Sequence, residues 1–356
     1  MRGQDSNRQP NMRLPATLLV AVVVIFSACT DKDRLPELKL QGDTMGTHYS
    51  VLLVDPSSQL QLDDLRAKLQ QRLEQINAIA STYRDSSELS RFNLNTSTEA
   101  IGVSAELCAM VSSALTISQD TDGAFDITIG PAVNLWGFGP DLRSNEPPPI
   151  EQLKLTLAST GFWKLEANCE YETLRKSNPN ITVDLSGWAK GYAVDQLAQL
   201  LSDAGQDNYL VEIGGEIKAR GTNAESMPFL IALENPNTKL AAAPVIVNLS
   251  DSGIATSGNY RNFFTHNEEN FSHAIDPKTG RPVTHPQSAV TVVHPSTAYA
   301  DAIATALLIL GSKDGLALAN QLGVAAYFAT SSTANTQYIA SEAFLKGQYL
   351  SLSDNL

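Results

Sequence analysis

Between Ser296 and Leu310 the chain runs Ser-Thr-Ala-Tyr-Ala-Asp-Ala-Ile-Ala-Thr-Ala-Leu-Leu-Ile-Leu. This predicts a helix apolar on almost every face, and such a helix belongs in a protein interior. Asp301 and Thr305 interrupt it, and residues four apart on a helix lie one above the other on the same face. A carboxylate buried there without a partner would cost several kcal/mol. A cation relieves that cost. The carboxylate and hydroxyl offer two hard oxygen ligands to Mg²⁺, whose usual partners are phosphate groups. The competing reading is a buried polar pair, with the Thr305 hydroxyl bonded back to a carbonyl one turn earlier.

Three stretches upstream carry further chemistry. In Asp184-Leu185-Ser186-Gly187-Trp188-Ala189-Lys190-Gly191 a strand enters and a helix leaves, with Ser186 and Gly187 at the junction. Free N–H groups at a helix start attract phosphate oxygens, and Lys190 is placed to reach the same anion. The bland alternative is a capped turn with a solvated lysine. Gly123 to Gly139 combines glycines, which let backbone approach a flat ligand, with the ring faces of Phe125, Trp136 and Phe138. Its alternative is a turn of packed aromatics. His273 lies in Phe271-Ser272-His273-Ala274-Ile275-Asp276, read as one strand leading to the turn Pro277-Lys278-Thr279-Gly280. Imidazole is well suited to take a proton from an alcohol near neutral pH, whereas His48, His266, His285 and His294 are read as structural.

The formal charge of −13 argues against nucleic acid as a partner, because phosphate contacts need clustered Lys and Arg. Residues 1–28 read as an export signal: Arg2, Arg8 and Arg13 precede a mostly apolar run from Leu14 to Phe26. That run is shorter than the ~20 residues a spanning helix needs. It closes with Phe26-Ser27-Ala28-Cys29, which resembles a bacterial lipoprotein processing site with Cys29 lipidated; an ordinary cleaved secretory signal is the alternative. Residues 29–38 then form a short lipidated tether and 39–356 the functional domain. Cys108 and Cys169 could pair in an oxidising compartment, but Cys108 falls in a helical pattern that points to burial. Free, packed thiols are expected.

Leu38 to Val54 alternates apolar and polar residues around Gly42 and Gly46, which predicts strands with a bend. Helices are expected over Asp63 to Ala80, over Ser104 to Asp120 with Ser104 as N-cap, after Pro147-Pro148-Pro149, and over Ser186 to Ala204. Gly161 to Val183 reads as short strands, and Asn208 to Ala219, Phe229 to Glu234 and Ala243 to Leu249 read as strands. From Ser288 the order is strand, helix, helix, strand, strand. Strands and helices without regular βαβ alternation favour an α+β fold.

In this order the motifs resemble the ApbE family, flavin transferases that attach FMN from FAD to a threonine of a target protein. The matching stretches are Thr44 to Thr47, Ser81 to Arg84, Glu88 to Asn93, Gly123 to Gly139, Asp184 to Asp195, Gly214-Gly215-Glu216, Thr256 to Arg261, His273 to Pro282 and Ala300 to Thr305. The resemblance implies a T-fold-like α+β architecture with mixed or antiparallel sheets and packed helices. It implies an FAD site lined by Met45, Tyr83, Ala124, Phe125, Asp126, Asp184, Lys190 and Ile275. Mg²⁺ would be held by the Gly187 carbonyl, Asp301 and Thr305, and His273 would be the general base. Many relatives carry a second aspartate just before the threonine; here that place is Ala304, one carboxylate fewer. The implied partners are FAD and an acceptor protein, a subunit of a membrane redox complex, met at the periplasmic side of the inner membrane. An Mg²⁺-dependent FAD pyrophosphatase and a non-catalytic flavin-binding lipoprotein are the rival readings.

Overall fold

The computed structural model describes residues 34–58, 60–139, 146–233, 236, 245–260, 262–286, 288–331 and 336–350. The export signal and the lipidation expected at Cys29 lie outside the described residues. Strands Glu37–Thr44, Thr47–Val54, Tyr209–Ile213, Glu216–Arg220, Ser252–Gly258, Ser288–His294, Ala325–Ser331 and Thr336–Ala340 form one sheet in that order. Every neighbouring pair is antiparallel, so the sheet is antiparallel rather than mixed. With helices packed on it, the fold is α+β.

Side chains alternate across the sheet with the two-residue period of a strand. Val290, Val292, Ala326 and Phe328 join the larger core under the helices, whereas Val293, Ala325 and Tyr327 join a second core on the opposite face. The hairpin Phe229–Leu233/Val245–Leu249 and the helix Glu342–Lys346 close that second core. On the helical face, Thr297–Leu322 crosses strands Ser252–Gly258 and Ser288–His294, with Ala189–Asp203 beside it and Leu62–Ala80 beyond. Thr297–Leu322, the central helix, starts on the Ser296 hydroxyl and ends at left-handed Gly323. Gly311 (φ 74°, ψ 175°) breaks it into the two helices that the sequence predicts. It has the length and hydropathy of a membrane span, yet Ala300, Ala302, Ile303, Ala304, Ala306, Leu307 and Leu308 are buried inside the protein.

Three expectations are corrected. The helix expected from Ser186 begins at Ala189, because Asp184 Oδ1 accepts both the Ser186 N–H and hydroxyl and holds 185–188 in a turn. The short strands expected between Gly161 and Val183 are present as Leu165–Asn168 and Thr173–Lys176, and the buried Lys176 ammonium donates to the carbonyls of Asn93, Asn95 and Ile181. The strand expected through His273 is broken there: Glu269–Ser272 pairs with Phe263–His266, and Ile275–Asp276 pairs with Arg281–Pro282. Finally, Cys108 and Cys169 form a disulfide rather than free thiols. The hairpin that begins with Leu165–Asn168 packs on the helix Ala105–Asp120 and brings the two Cα atoms to 5.5 Å. Cys108 is buried as expected.

Candidate active site

Two glycines let the central helix sink into the fold. A Cβ at Gly253 would lie 2.3 Å from Thr297 Oγ1, and one at Gly191 would lie 2.4 Å from the Thr297 carbonyl oxygen. The close crossing at Gly191 brings its N–H to Asp301 Oδ2 at 3.2 Å. Asp195, one turn further along the same helix, caps the central helix by accepting the N–H groups of Thr297 and Ala298 and the Ser296 hydroxyl. The two helices are thus tied at the point from which Lys190 and Asp301 project.

Lys190 Nζ lies 2.7 Å from Glu216 Oε1 and 3.8 Å from Asp301 Oδ2. Burial pushes the Asp301 carboxyl above the usual aspartate range, opposed by Lys190 and the Gly191 N–H. Burial likewise pushes Glu216 up to about 7, with Lys190 opposing and the Asp301 charge reinforcing. One turn on, the Thr305 hydroxyl donates to the Asp301 carbonyl at 3.2 Å and lies 3.1 Å from Ser257 Oγ. The back-bonded arrangement foreseen for Thr305 is therefore present, but it does not satisfy the Asp301 carboxylate. A Cβ at Gly187 would sit 3.4 Å from Thr305 Oγ1 and 3.3 Å from Phe125 Cε2, so the Gly187 backbone abuts both residues. Asp301, Thr305, Gly187, Lys190 and Phe125 converge.

These residues fit a hard divalent cation. The donors are oxygens, and Glu216 Oε2 is buried without a hydrogen-bond partner, so the pocket holds more acceptor capacity than the protein uses. Among the described residues no three His, Cys, Asp or Glu side chains gather as a metal cage.

His273 sits where backbone pairing passes from one two-stranded ribbon to the next. Its N–H donates to the Asn262 carbonyl at 3.0 Å, and its Nδ1 faces the same oxygen at 3.1 Å. A carbonyl can only accept, so Nδ1 carries the proton of the neutral ring and Nε2 keeps the lone pair. Burial holds its pKa below the ordinary histidine value; Lys190 lowers it further, and the Asn262 bond opposes both. Phe138 meets the imidazole edge-on at 6.3 Å.

The remaining predicted residues divide. Met45 occupies a left-handed turn position (φ 49°) before Gly46. That turn adjoins Thr47, which lies with the Lys190 stem against Gly214. Asp184 lies against Gly130, and Tyr83 stands largely exposed, its phenol pKa raised by partial desolvation and by the Asp184 charge. Ala124 and Phe125 are buried. Asp126 is occupied by the protein: Oδ1 accepts the Thr128 N–H and hydroxyl, and Oδ2 the Phe162 N–H. Ile275 packs with Ala132, Trp136 and Phe264. Trp136 stacks on Phe271 at 5.3 Å and Phe138 on Phe264 at 5.6 Å, so their ring faces serve packing rather than a flat ligand. Sequence reasoning missed the roles of Glu216, Asp195, Ser257 and Asn262. The only available signals were Glu216 behind a Gly-Gly turn and Asp195 closing the Lys190 motif.

The ApbE family pattern matches residues 45–328. A Haemophilus influenzae FAD:protein FMN transferase is 40% identical over 315 residues, covering 87% of this chain and 90% of its own length. A Vibrio cholerae FAD:protein FMN transferase is 40% identical over 308 residues, covering 86% and 92%. Among solved structures, the flavin transferase ApbE from Vibrio cholerae aligns with a TM-score of 0.81 at 38% identity, covering 88% of this chain and 99% of that one. The apo form of Pseudomonas stutzeri flavinyl transferase ApbE aligns at 0.82 and 35% identity, covering 89% and 98%. On its site geometry, fold and sequence alike, this chain belongs to the ApbE family.

Proposed function

We propose that this protein is an FAD:protein FMN transferase that moves FMN from FAD to a threonine hydroxyl of an acceptor protein and releases AMP. The observation that carries the reading is the convergence of Asp301, Thr305, Gly187 and Lys190 around one buried carboxylate, with a second buried carboxylate at Glu216 beside them. Asp301, Thr305 and the Gly187 carbonyl would hold Mg²⁺, which when bound neutralises charge on the pyrophosphate. Lys190 supplies a further positive charge for phosphate oxygens, at the cost of loosening its bond to Glu216. His273 Nε2 accepts the proton of the threonine hydroxyl, whose oxygen forms a bond to the FMN phosphorus. The bond from that phosphorus to the bridging pyrophosphate oxygen breaks, and AMP leaves with the electron pair. Tyr83, Phe125 and the Met45 turn stand as walls for the flavin. Asp126 supports them by fixing the backbone at Thr128 and Phe162.

Export and lipidation at Cys29 belong to the same proposal. The Cys108–Cys169 disulfide supports it, since disulfides persist in oxidising compartments. The acceptor is then a subunit of a membrane redox complex, reached from the periplasmic side of the inner membrane. The test mixes the purified mature protein, FAD, Mg²⁺ and a threonine-bearing acceptor, and reads mass. An FMN adduct on the threonine is expected, and EDTA present from the start should prevent its formation. Free FMN without adduct would establish the pyrophosphatase instead.

A further inference from the structure

Glu216 ends the Gly214-Gly215-Glu216 motif and has no part in the reaction above. Its carboxylate is buried, with Oε1 2.7 Å from Lys190 Nζ and Oε2 without a partner. A buried acceptor left unsatisfied is uncommon in a native fold and calls for an explanation. The same ammonium lies 3.8 Å from Asp301 Oδ2. A Cβ at Gly214 would be 3.5 Å from Lys190 Cδ, so the lysine stem is confined along that turn. One ammonium thus stands between two buried carboxylates, and it is bonded to the one that is not a predicted metal ligand.

We propose that Glu216 is a positioning residue that holds the Lys190 ammonium off Asp301 and so keeps the Asp301 carboxylate open to a divalent cation. The inference rests on the reading of Asp301 as a metal ligand. Without Glu216, the carboxylate nearest Lys190 among the described residues is Asp301. A closed pair between them would compete with the cation for the same oxygens, since a buried charge left alone seeks a partner strongly. Ala304 sharpens the competition. With no second carboxylate beside Thr305, the site cannot replace Asp301 once it is paired.

The experiment titrates MgCl₂ alone into the purified apo protein by calorimetry, without FAD, using wild type, D301A, E216A, E216Q and K190A/E216A. Circular dichroism melts confirm that each variant is folded. E216A should bind Mg²⁺ roughly 10–100-fold more weakly, the range typical for lost outer-shell partners. E216Q keeps an acceptor for Lys190 without the charge and should fall between. K190A/E216A should recover affinity, because the competitor has gone; a merely structural role for Glu216 predicts no such rescue. Wild-type affinity in E216A, or a double variant no better than E216A, overturns the inference alone, provided D301A loses binding. Undiminished binding by D301A, or none by wild type, overturns the metal reading and this inference with it.

Discussion

Gly191→Ala tests how the fold spaces the site. The added Cβ would lie 2.4 Å from the Thr297 carbonyl oxygen and 2.7 Å from both Thr297 C and Ala298 Cα. All three are backbone atoms in the first turn of the central helix, so no side chain can swing aside. Comfortable separation between carbon atoms is about 3.5 Å, so the helices must part by roughly 1 Å. Overpacking of this kind costs about 1–3 kcal/mol. With an unfolding entropy of roughly 2 cal/mol/K per residue over the folded body, that lowers Tm by about 2–5 °C. The catalytic effect is larger, because the same displacement carries Lys190 and the Gly191 N–H away from Asp301. A misplacement of about 1 Å at a reacting centre costs on the order of 100-fold. Flavinylation followed by in-gel flavin fluorescence, together with scanning calorimetry, reads both effects. A wild-type rate and Tm would refute the packing argument, and a lowered Tm with an unchanged rate would refute its link to catalysis.

His273→Ala should retain FAD binding and lose transfer by about 10²–10⁴-fold, the range for a general base; undiminished flavinylation removes His273 from the role. In wild type the base must be neutral, and burial holds its folded pKa below 6.5. The rate should therefore rise with pH on a limb lying below 6.5 and be flat above it. A limb centred above that value would contradict the buried geometry. The same depression contributes stability that is present above 6.5 and lost as pH falls through the folded value, measurable as a Tm decline on acidification. Replacing Cys108 and Cys169 by Ser removes a cross-link spanning 61 residues, which the chain-entropy model values at about 4 kcal/mol. Reductant should lower Tm in wild type and leave the double-serine protein unmoved.

What the sequence reveals of this molecule follows from how local each signal is. Asp301 and Thr305 stood out because an oxygen pair on an apolar helix conflicts with burial, and the structure does bury Asp301 and back-bond Thr305. Ser104 was legible as a cap, and it accepts the Leu107 N–H as such residues do. The disulfide was not, since it depends on a hairpin folding back over the helix Ala105–Asp120. Nor was the strand Ser252–Gly258, whose small and polar residues carry little strand propensity. It is central to the sheet because Gly253 admits Thr297, a contact that no local pattern reports. Glu216 and Asp195 were legible as members of motifs but not as parts, because each acts on a residue brought to it only by the tertiary fold.

The site is built in two halves with different mechanical characters. Lys190, Gly191 and Asp195 share one helix, and Asp195 caps the helix that bears Asp301 and Thr305. The start of the central helix is thus tied to the helix bearing Lys190, and the spacing between Lys190 and Asp301 depends on how closely Gly191 lets the two pack. On the proposed reading that spacing matters, since charge–charge energy depends on distance and is strengthened by burial. His273 instead lies at the junction of two short ribbons, joined by its own N–H to Asn262 and by Val283 N–H to Ala274. Each ribbon is short and is anchored through Phe264, Phe271 and Ile275 on Trp136 and Phe138. On the proposed reading, helices brace the half that would fix small charged groups, and an aromatic cluster anchors the half that would carry the base toward the acceptor.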